Sequence, residues 1–123
     1  MSSYIDGFVI PVPKDKIEEY RKVAEVACKV WIEHGAIDYR ECVGEDLTTK
    51  DMVSFPQLAG ANPDETVVFA WISYESREHR DAVNAKVMED PRMKQIMGSD
   101  LQLFDSTRMA YGGFQTIVAS QLR

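Results

Sequence analysis

Thr66-Val67-Val68-Phe69-Ala70-Trp71-Ile72-Ser73-Tyr74 is the stretch whose reading decides the fold. A strand with one wet face alternates apolar and polar side chains. Here positions 67, 69 and 71 are Val, Phe and Trp, and positions 68, 70 and 72 are Val, Ala and Ile. Both faces are apolar, so the strand belongs in the middle of a sheet, and each of its sides needs a cover.

The flanking sequence supplies the rest of that sheet. Tyr4 to Val12 reads as a first strand rich in aromatic and β-branched residues, with Pro11 and Pro13 expected to end its ladder for want of an N–H. Lys14 to His34 reads as an amphipathic helix. Ile17, Tyr20, Ala24, Ala27, Cys28 and Trp31 form its apolar stripe, and Glu18→Lys22 and Glu25→Lys29 pair on the opposite side. Gly35 is a natural left-handed stop. Ala36 to Val43 reads as a more polar second strand, whose Asp38, Arg40 and Glu41 suit a sheet edge. Residues 45–65 read as irregular, with a short extended piece at Met52-Val53-Ser54-Phe55 and a loop from Gln57 to Asp64. Ser76 caps a second helix, Arg77 to Glu89; Pro91 opens an extra turn through Met97; Arg108 to Ala119 reads as the last strand, with Gly112-Gly113 within it.

The order is β-α-β-β-α-β, an α+β pattern of the ferredoxin-like kind: a four-stranded antiparallel sheet with two helices on one face. The handedness of the crossovers puts both helices on the same side, and the split β-α-β arrangement puts the first and third strands in the centre. The other side of the apolar strand is then uncovered. A second copy's sheet is the expected cover, giving a homodimer; the alternative is that residues 45–65 fold over it and leave a monomer.

With 123 residues and 45% hydrophobic content, the chain is expected to form a single domain over 1–123. Its net charge of −6, from 20 acidic and 14 basic residues, speaks against the basic face that nucleic acids require. The longest uncharged apolar run, Val67 to Ile72, falls well short of the roughly 20 residues of a membrane span, and the N-terminus lacks the pattern of a leader, so no membrane partner is expected and the cytoplasm is the expected location. Cys28 and Cys42 read as reduced and packed.

Several longer motifs run through these elements: Asp6-Gly7-Phe8-Val9-Ile10-Pro11-Val12-Pro13, Glu33-His34-Gly35-Ala36, Tyr39-Arg40-Glu41-Cys42-Val43-Gly44, Asp64-Glu65-Thr66-Val67-Val68-Phe69, His79-Arg80-Asp81 and Phe104-Asp105 with Tyr111-Gly112-Gly113-Phe114. In these the chain resembles an uncharacterised bacterial family, domain of unknown function 1428. The resemblance implies a dimeric α/β barrel, within the ferredoxin-like folds. It implies no activity and therefore assigns no catalytic residues.

The residues that could carry chemistry are few. The two histidines and two cysteines show no ligand spacing, so no metal is expected, and Gly112-Gly113 lies within a strand rather than ahead of a helix, so no nucleotide loop and no cofactor are expected. His79 shares a helical stripe with Val83 and Val87 and is either an acid/base at a pocket between helix and sheet or a hydrogen-bonded residue at the rim of the core. Tyr39 and Glu41 share one face of the second strand, where a phenol beside a carboxylate can orient a ligand or move a proton, or can serve as edge polarity. Trp71 and Tyr111 could line a ligand site or anchor the core or interface. Arg108 could bind an anion or pair on the surface. Asp6, inside an apolar strand, is an inconsistency of the kind found at functional sites, or else pairs with Arg40 or Arg108. Two readings stay open: a small-molecule binder or cofactor-free enzyme with a pocket between sheet and helices, as related barrels include monooxygenases of aromatic compounds, and a non-catalytic homodimeric interaction or regulatory module.

Overall fold

In the computed structural model, which describes residues 3–98, 103 and 105–120, β1 (Tyr4–Pro13) passes through a 3-10 turn at Lys14–Lys16 into α1 (Ile17–Glu33). Then follow β2 (Asp38–Val43), the short α2 (Phe55–Ala59), β3 (Glu65–Tyr74), α3 (Arg77–Glu89), α4 (Pro91–Met97), a turn at Ser106–Arg108 and β4 (Ala110–Gln115). The four strands pair antiparallel in the order β2-β3-β1-β4, so the apolar strand β3 and β1 are central.

Register determines what each face carries. Ala70 lies between Phe8 and Glu41, Ile72 between Asp6 and Tyr39, and Val68 between Ile10 and Val43; alternation sends all of these to the front, toward the helices. There Val30 and Ala27 of α1 and Val83 and Val87 of α3 pack with Ile72 and Tyr74, while Tyr20 packs with Ile10, Val12 and Val68. α1 stops where the stripe predicts, with Gly35 at φ +114°, a conformation that a side chain would strain.

The rear face carries Val67, Phe69 and Trp71, and it is covered at one end only. α2 lies over that end: Pro11 and Val67 are buried, and the Phe55 ring stands 5.9 Å from Phe69. Toward the other end Phe69 is 44% exposed and Phe114, whose ring lies over Gly7, is 61% exposed. Part of the segment 45–65 therefore does shelter the rear face, but only its Val67 end.

Cys42, expected to be packed, is exposed on the edge strand β2 beside rear-facing Phe69, and four further local readings differ from the sequence pattern. Pro11 and Pro13 do not end β1, which pairs with β3 as far as Pro13↔Glu65. β4 borders β1 only through Val9, so beyond it a missing N–H faces an open edge. β4 is shorter than 108–119 because β1 begins at Tyr4, opposite Gln115; past that pair Ser3 and Thr116 still bond, the Thr116 N–H to the Ser3 carbonyl at 3.0 Å and the Ser3 hydroxyl to the Thr116 hydroxyl at 2.8 Å. Phe55–Ala59 is helical rather than extended, since the Ser54 hydroxyl caps it by accepting from the Gln57 N–H at 3.2 Å and Pro56 suits a first turn. On α1, Arg21 bridges Glu18 and Glu25, taking both acids from the expected lysine pairs.

Asp6 is 1% exposed and faces front, so it meets neither Arg40 on the rear nor Arg108. Its partner is Arg80 of α3: Nη1 donates to Oδ1 at 2.7 Å, and the Tyr111 hydroxyl donates to the same oxygen at 3.2 Å. This pins α3 onto the two strands β1 and β4. Removing one member of a buried pair leaves an uncompensated charge and costs roughly 3–5 kcal/mol. Arg80→Ala is expected to destabilise the fold by that order in urea unfolding, with Asp6→Asn in the same chain recovering part of the loss; a cost below about 1 kcal/mol, as for an ordinary surface change, would contradict the assignment.

Candidate functional site

The helix layer and the sheet do not meet everywhere. Ala24 and Ala27 on α1 face Ala70 in the middle of β3, three short side chains where a close-packed interior would place large ones. The space between them is a cavity of about 310 Å³, within the size range of small-molecule sites. Phe8, Ile10 and Ile72 of the sheet and Trp31 of α1 wall it, and Met88, Met93, Ile96, Met97 and Met109 complete it from α3, α4 and the approach to β4. Methionines make an adaptable wall, because the unbranched thioether refits to different shapes.

One corner of this apolar wall is polar. Glu41 reaches in from β2, and the hydroxyls of Tyr39 and Tyr20 each donate to one of its carboxylate oxygens, Tyr39 to Oε2 at 2.5 Å and Tyr20 to Oε1. Burial first, and the adjacent Glu41 carboxylate second, push both phenols well above their ordinary range, so both stay protonated and keep donating. The same Glu41 and Tyr20 also border a second, smaller cavity of about 120 Å³, which makes the pair a partition between the two spaces. Trp31 has its indole N–H committed elsewhere, to Asn84 Oδ1 at 3.0 Å, and the Tyr74 hydroxyl donates to the same oxygen at 3.3 Å. The Cys28 thiol is raised by burial and by Glu41 and Asp38, which keeps it in the unreactive protonated form.

α4, which lines the cavity with Met93, Ile96 and Met97, is held by Asp90. Asp90 caps it by accepting from the Arg92 N–H at 2.9 Å, pairs with the Arg92 guanidinium, and lies 2.9 Å from His34 Nε2. Arg92 continues to Glu33 at 2.7 Å, so the end of α1 and the start of α4 are tied through one carboxylate.

The structure thus brings Tyr39 and Glu41 together at the cavity and disperses the other candidates. His79 is not among the lining residues: its Nδ1 accepts from the Glu75 N–H at 3.0 Å, and its ring stands edge-on to Tyr74 at 5.9 Å. Trp71 is on the rear face, its ring tilted against Phe69 at 5.7 Å, because odd positions of β3 point away from the helices. Tyr111 packs 5.0 Å from Phe8 and bonds Asp6 and Arg80. Arg108 makes two bonds to Glu65, at 2.9 and 2.8 Å, and one to the Gly60 carbonyl at 2.7 Å. Gly112-Gly113 lies in register with Gly7 and Asp6, and the Tyr4 side chain occupies the place where a Gly113 Cβ would go. Of the motif Phe104-Asp105, Phe104 lies outside the described residues, as do Met1 and Ser2 at the N-terminus. Sequence reasoning placed Tyr20 in the core stripe and missed its role. The available signal was chemical: a tyrosine on a buried stripe needs a partner for its hydroxyl, and the strand beneath offers Glu41.

An α+β sheet of this order, with α1 and α3 on one face, is a ferredoxin-like fold, and solved structures of that kind resemble it. One is a NIPSNAP family protein with unknown function from Agrobacterium tumefaciens, with a TM-score of 0.62 at 14% identity over 98% of this chain and 94% of the other. Another, described as a dimeric ferredoxin-like protein from an uncultured marine organism, has a TM-score of 0.60 at 12% identity over 99% and 100%. At such identities the likeness concerns the fold. The chain belongs to the family described as protein of unknown function (DUF1428), whose model matches residues 3–106. It is 44% identical over 115 residues to the uncharacterized protein YbaA of Escherichia coli (strain K12), covering 94% of this chain and 97% of the relative. Among the described residues, no helix is long and apolar enough to cross a membrane.

The α4 clamp makes a pH prediction. Hydrogen bonds from Arg92 and then His34 hold the Asp90 carboxyl far below the ordinary carboxylate range. A depressed folded-state pKa stabilises the fold above the unfolded value, about 4, and that contribution is lost as pH falls below it. Asp90→Asn is therefore expected to lower stability at pH 7 and to flatten the loss between pH 4 and 2, in urea titrations run across that range. Parallel acid limbs for the two proteins would show that the clamp is not formed.

Proposed function

We propose that this chain is a homodimeric small-molecule-binding protein whose ligand sits between the helix layer and the sheet, in a chamber that could also host cofactor-free chemistry. The observation that carries the reading is the chamber itself: about 310 Å³ of space behind three alanines, with one fixed polar corner at Tyr20, Tyr39 and Glu41. Evolutionary neglect of packing is a poor alternative account, since an unfilled void of this size costs stability that larger side chains at Ala24 or Ala70 would recover. Tyr39 and Glu41 orient the ligand in this reading, while His79, Arg108, Tyr111 and Asp6 serve the scaffold and Trp71 the interface.

The exposed part of the rear face supports pairing with a second copy. Phe69, Phe114 and the half-buried Trp71 form an apolar surface that a like surface would cover, and two of the similar solved structures are described as dimeric ferredoxin-like proteins. Nucleic acid has no place in this reading, given the net charge of −6. The cytoplasm suits it, because Cys28 and Cys42 are free thiols.

Two measurements test the proposal separately. Ala24→Leu and Ala70→Leu, each extending a side chain into the chamber, are expected to abolish binding of 4-propylphenol by calorimetry while keeping the circular dichroism spectrum and raising the melting temperature. Retained binding in both folded variants would place the ligand elsewhere. Sedimentation at micromolar concentration is expected to give twice the chain mass, and Phe69→Arg to give a folded monomer; a wild-type monomer would reject the pairing.

A further inference from the structure

The wall of the chamber also defines what it accepts. Among the described residues, its lining includes no lysine, arginine or histidine, and it does include a glutamate. An anionic ligand would give up its hydration for a largely apolar space in which the described lining offers a repelling carboxylate and no offsetting cation. The donors of the corner and of Trp31 are also committed. The Tyr39 and Tyr20 hydroxyls donate to Glu41, and the Trp31 N–H donates to Asn84. What the corner presents inward is acceptor capacity: the lone pairs of the Tyr39 phenol oxygen and those that Glu41 retains after two bonds. Among the described residues, Ser106, at the turn before β4, is the one lining hydroxyl outside this corner.

From this we infer that the chamber selects an uncharged, largely apolar molecule carrying a single O–H or N–H donor, which it aims at Glu41 and Tyr39, and that it rejects carboxylates and other anions of the same shape. The inference rests on the chamber being the ligand site and adds the class of ligand. Selection works through both terms. A donor group gains a charge-assisted bond at the corner, whereas a ligand with only acceptors leaves that corner desolvated and unpaired. An apolar body is needed because the remaining wall offers it dispersion contacts and little else.

Three probes of matched shape separate the possibilities: 4-propylphenol, its methyl ether, and 4-propylbenzoate, each titrated at pH 7 by calorimetry. The phenol is expected to bind about tenfold more tightly than the ether, the ordinary worth of one hydrogen bond to a charged group, and the benzoate at least about a hundredfold more weakly than the phenol. In Glu41→Gln, checked for native circular dichroism, the benzoate penalty is expected to shrink by about tenfold or more while the ether is unaffected. Tyr39→Phe is expected to weaken the phenol and leave the ether alone. Equal binding of phenol and ether, or benzoate binding as tightly as phenol, would overturn the inferred ligand class while leaving the chamber as a binding site. Failure of all three probes to bind would overturn the chamber itself, and the ligand class with it.

Discussion

The rest of the structure depends on burying β3 from two sides. A strand with Val, Phe and Trp on one face and Val, Ala and Ile on the other loses hydrophobic free energy wherever either face meets water, at about 25 cal/mol per Å². β1 and β2 flank it, so its backbone is satisfied, and the two faces are then covered by unlike means. The crossovers bring α1 and α3 to the front by handedness alone. The rear has α2 at the Val67 end and exposed aromatic surface beyond it.

The chamber follows from how the front is covered. Alanines at 24, 27 and 70 are too short-sided to fill the space between α1 and the middle of β3. Three polar ties hold the rim in place around them. Asp6 with Arg80 fixes α3 on β1, Asp90 with Arg92 and His34 fixes α4 on α1, and Glu41 with Tyr20 and Tyr39 fixes α1 on β2. The third differs from the others in facing the cavity, so the same bonds that hold the scaffold also set the polarity of the site.

Much of this was legible in the sequence because it rests on period and stop signals. The two-faced pattern of 66–74 gave the centre of the sheet, the stripe from Ile17 to Trp31 gave α1, and Ser76 and Pro91 marked helix starts that the structure has. What pattern could not supply was long-range pairing. Asp6 finds Arg80, 74 residues away, and Tyr20 finds Glu41, 21 residues away, and nothing local specifies either. Tyr39 and Glu41 could be placed on one face by alternation, but the space in front of them arises from alanines on two other elements. His79 shares the stripe of Val83 and Val87, yet in the first turn of α3 its ring turns back to the Glu75 N–H. The shortening of β4 and the helical α2 are likewise effects of neighbours, the start of β1 in one case and the Ser54 cap in the other.

The central claim is that the space between helices and sheet is a site and not an accident of packing, and the methionines report on it directly. Met88, Met93, Met97 and Met109 line the chamber, while Met52 is exposed on the segment between β2 and α2 and serves as an internal control. Methyl spectra of protein carrying labelled methionine, recorded during addition of 4-propylphenol, are predicted to show saturable shifts at Met93 and Met109 with Met52 unmoved. Shifts confined to Met52, or no saturable shift at any lining methionine, would contradict the account.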